Sequence, residues 1–187
     1  MNTLKENIGS KISLTPEIHA VIEEHFIEEE FPKNHILIKE GQYVQKLFFL
    51  EEGMVRSFHY AEDKEVNSWF YTPNQFFTSW YSFHEKNASL ETMETLEPSL
   101  IYSIDYTSYQ TLMDTYPEFQ KLGRLIAEEQ LAFVDYYSRG YMFMSAKERY
   151  DLLLSFFPDI ELKIKLGHIA SFLGVSQETL SRIRRNK

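Results

Sequence analysis

"IASFLGVSQETLSRIRRN", residues 169–186, nearly closes a chain of 187 residues whose net charge is -9. The stretch is basic where the rest is acidic. From Lys163 to Lys187 there are six Lys/Arg and one acid, a local charge of +5, while the preceding 162 residues carry -14. Such an asymmetry marks a separate, anion-seeking module at the C-terminus. Ile169, Ala170 and Leu173 form the apolar stripe of a short helix, and Gly174 supplies the left-handed conformation of a tight turn. Val175 packs inward, and the Ser176 hydroxyl is placed to cap a second helix. On that helix Leu180 and Ile183 face inward, Glu178, Ser181, Arg182 and Arg185 line the opposite face, and Gln177 stands at the exposed tip.

A helix, a Gly-containing turn and a second helix with polar residues at its start have the layout of a DNA-reading helix-turn-helix. The side chains suit the major groove. Arg182 offers two parallel donors to guanine, Glu178 accepts from cytosine, and Gln177 pairs with adenine or a phosphate. Arg184, Arg185 and Lys187 are phosphate-binding cations, which accounts for a basic tail on an acidic protein. A blander reading makes Glu178 and Arg182 an i, i+4 pair worth about 0.2–0.5 kcal/mol to the helix. It leaves the Gly turn, the cap and the three arginines unexplained, so we read the segment as DNA-binding.

The full chain has the composition of an ordinary globular protein, with aromatics at 16% and no cysteine. Lacking cysteine, it forms no disulfide, thiol nucleophile or Cys-type zinc site. The six histidines make no HxH or HExxH spacing, so no metal and no cofactor is expected. Residues 1–30 contain no signal-peptide core and no apolar run approaches membrane-spanning length, which places the protein in the cytoplasm without a membrane partner.

Thr15, Pro16 and Glu17 predict a helix start, and the acids Glu28, Glu29 and Glu30 read as its solvated end. From Phe31 short β-type runs follow: "HILIKEG", "LFFLEEG", "MVRSFHY", "EVNSWFYT", "ETMETLE" and "SLIYSID", with "AEDK" (61–64) as a hairpin connection. Their spacing predicts an antiparallel sandwich or roll. Helical periodicity returns at "YTSYQTLMDTYPEF" and runs past residue 140. In the long helix beginning near Pro117, Phe119, Gly123, Ile126, Gln130, Phe133, Tyr137, Gly140 and Met144 repeat at spacings of four and three. A heptad-like seam of this kind joins two identical helices or packs on its own chain; we expect a dimer seam through Ile126, Gln130, Phe133 and Tyr137. Ser145 and Glu148 form a capping-box pattern that opens a new helix, and Pro158 closes it.

"IASFLGVSQETLSRIRRN" resembles the helix-turn-helix of CRP/FNR-type transcription regulators, in the short form that lacks a C-terminal wing. "EGQYVQKLFFLEEGMVRSFHY" is similar to the start of that family's cyclic-nucleotide-binding β-roll, with Gly41 and Gly53 carrying the Gly-to-Gly spacing. The resemblance implies an α+β chain: an antiparallel β-roll (jelly-roll) sensor with an N-terminal helix over 1–116, a dimerisation helix over 117–144, and a DNA-binding domain over 145–187. It implies an inverted-repeat operator, a homodimer, RNA polymerase as a partner, and a small-molecule effector. The family's Arg-Glu-Thr…Arg series falls on Gln177, Glu178, Thr179 and Arg182, so Gln177 departs from the usual Arg. With Ser176, Ser181, Arg184, Arg185 and Lys187 these residues make up the expected DNA-contacting set.

The sensor half departs further. Cyclic-nucleotide binders hold the phosphate with a Gly-Glu pair and an Arg, whereas "TPNQFFTSWYSFHEKNASLET" has neither and only Lys86 as a cation. We therefore expect no cyclic AMP binding. Residues 69–83 carry eight aromatic rings. They form either a filled core or domain contact, or an apolar effector pocket lined by Trp69, Phe70, Phe77, Trp80 and Tyr81. Two other functions compete. A cupin-like enzyme needs clustered ligands that the scattered histidines do not provide, so no enzyme activity is expected. A β-roll binding module whose C-terminal helices no longer touch DNA is the alternative.

Overall fold

A computed structural model describes residues 2–62 and 64–185, with Asn2, Arg139 and Gly140 described by backbone alone. In chain order come α1 (Asn2–Lys11), α2 (Pro16–His25), β1 (Ile27–Phe31), β2 (Ile36–Ile38), β3 (Lys46–Glu52), β4 (Val55–Ala61), β5 (Lys64–Tyr71) and β6 (Gln75–Phe77). They continue with α3 (Trp80–Glu85), β7 (Thr92–Thr95), β8 (Ser99–Asp105), α4 (Tyr106–Thr115), α5 (Pro117–Phe143), α6 (Ala146–Phe156), α7 (Ile160–Lys163), α8 (Leu166–Phe172) and α9 (Gln177–Arg185). The strands form two antiparallel-paired layers ordered β1-β8-β3-β6 and β2-β7-β4-β5. The α+β class with an antiparallel roll, a long helix and C-terminal helices is thus the observed one. The chain divides into two compact units, residues 1–57 with 70–129 and residues 58–69 with 130–187.

In the first unit the sheet core is aromatic. Phe49 on β3 stands opposite Tyr102 on β8 and Phe76 on β6, and all three are buried. Leu4 and Ile8 of α1, Ile18 and Ile22 of α2, and Phe119, Leu122 and Ile126 of α5 join the same cluster. The α2 start is as its sequence predicts: Ile18 N–H donates to Thr15 Oγ1 at 3.2 Å. Its end is not. Glu28, Glu29 and Glu30 lie in β1, paired with β8. Tyr102 donates its hydroxyl to Glu28, and Lys46 Nζ and Ser103 Oγ reach Glu29, each at 3.1 Å. The acid run is a strand because its side chains find partners on neighbouring strands.

α1 also depends on a distant residue. The Glu51 carboxylate on β3 accepts from the Thr3 and Leu4 amides at 3.0 and 3.1 Å, serving the unsatisfied donors of the first turn. Burial acts to raise the Glu51 pKa, but these amide bonds outweigh it and hold it below the usual carboxylate value. Gly53, in the β3–β4 turn, has φ +101°, and a Cβ there would sit 2.2 Å from Ser99 Oγ. Only glycine meets both demands. No helix among the described residues is long and apolar enough to cross a membrane.

Candidate nucleic-acid interface

The two C-terminal helices are built around a small core within the second unit. Ile169, Ala170, Phe172 and Leu173 from α8 and its end are buried with Leu180 from α9 and with Tyr150, Leu153, Phe157, Ile160 and Ile164. Between the helices Gly174 adopts φ +66°, and Val175 N–H donates back to Ala170 C=O at 3.0 Å, the wrapped bond of a helix ending in a left-handed residue. Ser176 then caps α9, accepting from Thr179 N–H at 3.1 Å. Upstream, Ser145 and Glu148 make both bonds of the capping box that starts α6.

This geometry leaves one face of α9 in solvent. Gln177, Glu178, Arg182 and Arg185 are exposed, Ser176 is exposed at the cap, and Thr179 and Ser181 are half-buried. Among the described residues the side chains of Glu178 and Arg182 make no hydrogen bond or ion pair, so the i, i+4 bridge is not formed. Gln177 leans on the first turn of α8: a Cβ at Gly167 would meet Gln177 Nε2 at 2.7 Å. Arg184 differs from its neighbours. Its Nε donates to Glu161 Oε1 at 2.6 Å, and Tyr150 donates its hydroxyl to the same oxygen at 2.6 Å. Burial, then the bond to Glu161, pushes the Tyr150 phenol up to about 12. Arg184 therefore ties α9 to α7 instead of standing free among the phosphate-seeking cations. Lys187 lies outside the described residues.

The expected effector-pocket residues are not brought together. Trp69 and Phe70 are neighbours on a strand and point to opposite faces. Trp69 packs in the second unit against Phe133, Tyr137, Phe157 and Phe172, with ring centroids 4.7–5.7 Å away. Phe70 and Phe77 are fully buried in the first unit, where Phe77 stacks on Phe48. Trp80 packs on the core cluster, whereas Tyr81, the next residue on α3, is half exposed. The rings fill cores, because adjacent positions in strands and short helices diverge.

The expected seam residues likewise turn to their own chain. Ile126 is buried in the first unit's core, and Phe133 and Tyr137 close on Trp69 in the second. The face of α5 left open carries Ala127, Leu131, Val134, Ser138 and Met142, with Leu131 70% and Met142 77% exposed. A 27-residue helix has more than one apolar stripe, and the heptad count selected the intrachain one.

In the sensor, Lys86 occupies a left-handed cap after α3 and sits 5.1 Å from the centroid of the Tyr106 ring. It borders a cleft of about 260 Å³ with Tyr43, Gln45, Phe83 and Asp105. Arg56 holds Glu94 at 2.7 Å, and Ser57 donates to Glu91.

The chain thus carries, in order, an antiparallel roll, a long helix and a capped helix pair. Residues 28–116 match the cyclic nucleotide-binding domain family. The whole chain has the CRP/FNR-type fold. It is similar to a CooA variant from Carboxydothermus hydrogenoformans, with 21% identity, coverage of 92% of this chain and 80% of that one, and a TM-score of 0.71. It is similar to CLP, a c-di-GMP responsive global regulator from Xanthomonas campestris, with 16% identity, 90% coverage of each chain and a TM-score of 0.69. A third likeness is to FixK2 from Bradyrhizobium japonicum, with 14% identity, coverage of 86% and 83%, and a TM-score of 0.71. No curated protein matches by sequence.

Proposed function

We propose that this chain is a homodimeric, sequence-specific DNA-binding transcription regulator, cytoplasmic and non-enzymatic, whose sensor answers to a small molecule other than cyclic AMP. One observation carries the reading: a capped helix of nine residues presents Gln177, Glu178, Arg182 and Arg185 to solvent, on an acidic protein, with no ion pair at Arg182 among the described residues. Arg182 specifies sequence; Arg185 and Lys187 supply phosphate affinity, while Arg184 mainly holds the helix in place. Ser176, Thr179 and Ser181 flank these contacts. Two reading helices are presented by pairing α5 across its open stripe of Leu131, Val134 and Met142. RNA polymerase is the further protein partner of such a regulator. In the sensor, Arg56 is paired with Glu94 and Lys86 lies against Tyr106, which argues against a phosphate ligand.

The test is selection from a random duplex library with the full-length protein at moderate salt. The expected motif is an inverted repeat with half-site centres about 34 Å apart. Arg182→Ala is expected to lose about 1–3 kcal/mol and relax one base pair per half-site. Arg184→Ala is expected to lower the melting temperature and leave the motif unchanged. Selection of no motif by the wild type would favour a binding module that has lost DNA contact.

A further inference from the structure

One hydroxyl of the reading pair bonds twice to the backbone of a strand of the sensor sheet. β5 is the edge strand of its sheet, so the backbone groups on its outer side have no strand to pair with. On that side the Asn67 N–H donates to Ser171 Oγ at 3.0 Å, and Ser171 Oγ donates to Glu65 C=O at 2.8 Å. A parallel partner strand would serve this N–H and C=O with one residue's backbone; here one serine side chain from α8 serves both.

The neighbouring side chains follow the same register. Two residues along a strand advance about 6.7 Å and four along a helix about 6 Å, so a strand i, i+2 pair meets a helix i, i+4 pair. Asn67 and Trp69 are such a pair, and they meet His168 and Phe172. Asn67 Nδ2 lies 3.5 Å from His168 Nδ1, and the Trp69 and Phe172 rings are 5.7 Å apart. A second tether comes from α5: Tyr141 donates its hydroxyl to Phe172 C=O at 3.0 Å, beside the Gly174 turn. All of these residues belong to the second compact unit, so the outer half of the β4–β5 hairpin is part of the body that carries α8 and α9.

We propose that Ser171 is a positioning residue for DNA reading: by bridging Glu65 and Asn67 on the edge strand β5 it fixes the aim of α9, and the hairpin is the strut that holds it. The role rests on the DNA-binding reading above. Residues 64–69 of β5 lie in the second unit and Phe70 and Tyr71 in the core of the first, so the strut is covalently continuous with the sensor.

The experiment is hydrogen exchange on the full-length wild type, Ser171→Ala and Ser171→Thr, with operator affinity by fluorescence anisotropy. Losing both bonds is expected to speed exchange about 10-fold at Asn67 and across α8–α9 together, while β3 and β8 stay unchanged. Operator affinity is expected to fall about 10-fold without a change of motif, and Ser171→Thr, which keeps the hydroxyl, is expected to restore both. Faster exchange confined to Asn67, with α9 and affinity as in the wild type, would overturn the proposal. Should Ser171→Ala not fold, exchange of the wild type against denaturant decides. One shared opening for Asn67 and α8–α9 supports the strut, and two separate openings overturn it. A wild type that binds no DNA removes the positioning role along with the reading it rests on. A wild type that binds DNA as tightly as Ser171→Ala overturns the positioning alone.

Discussion

Two substitutions on one helix, two residues apart, separate the faces of α5. Leu131 is 70% exposed in the single chain, and Phe133 packs edge-on to Trp69 at 4.7 Å and to Phe156 at 5.7 Å. Glutamate at 131 costs the monomer little, because an exposed helical position tolerates it within about 0.5 kcal/mol. In a dimer paired through that face the same change removes about 1–2 kcal/mol of apolar burial from each copy. It also sets two carboxylates near each other across the two-fold axis, adding about 0.5–1 kcal/mol. Together these make about 2.5–5 kcal/mol, a weakening of roughly 60- to 4,000-fold in dissociation constant. Phe133→Glu acts on the fold instead. It opens the ring cluster around Trp69 and is expected to cost the chain about 2–3 kcal/mol or more, discounted from full burial because Phe133 is half-buried. Sedimentation equilibrium across the micromolar range, paired with thermal melts, reads both. Leu131→Glu is expected to be monomeric with an unchanged melting temperature, and Phe133→Glu to melt early. If Leu131→Glu associates like the wild type, the open face of α5 is not the pairing surface and the reasoning fails.

Glu51→Gln is expected to destabilise the protein by about 1–2 kcal/mol at neutral pH, since the amide keeps one acceptor and turns a donor toward a helix N–H. Glu51's folded pKa lies below its unfolded one, so its contribution is complete above the ordinary carboxylate range and is lost as pH falls through the lowered value. Melts from neutral to acid pH should therefore converge for wild type and variant, and parallel curves would refute the cap. Calorimetry with cyclic AMP and cyclic GMP is expected to show no binding, and micromolar affinity for either would show that Lys86 or another group neutralises the phosphate.

The legible parts of this chain are those whose causes lie within a few residues. Ser145 with Glu148, Thr15 with Pro16, and Ser176 behind Gly174 each announce a helix terminus, because cap and capped amide are three residues apart. The β runs announce themselves by composition and turns. What stayed hidden has distant causes. The acids of β1 read as a helix end because their partner Tyr102 is 74 residues away, and α1 escaped notice because its cap, Glu51, sits 48 residues from Thr3. Short elements such as β6 and α3 offer too few residues for a period to register. The seam is a different case: periodicity gives the spacing of an apolar stripe and not the surface that covers it. Ile126 and Phe133 keep heptad spacing with each other, yet they serve different cores of the same chain.

The same division between near and far causes runs through the candidate site. The exposure of Arg182 is legible in the sequence because it follows from the helix period set by Leu180, which is buried. The pairing of Arg184 is not, since the oxygen that takes its Nε belongs to Glu161, 23 residues back on a different helix. A list of basic residues on a helix therefore overstates its groove contacts unless the acids of neighbouring helices are placed first. Aim is set at longer range still. Ser171 and Asn67 are separated by 104 residues, and neither is unusual in its own neighbourhood: a serine inside a helix, an asparagine in a strand. Local chemistry fixes which side chains can read a base. Non-local edges, a serine filling in for a missing strand and a tyrosine holding a turn, fix where that chemistry points.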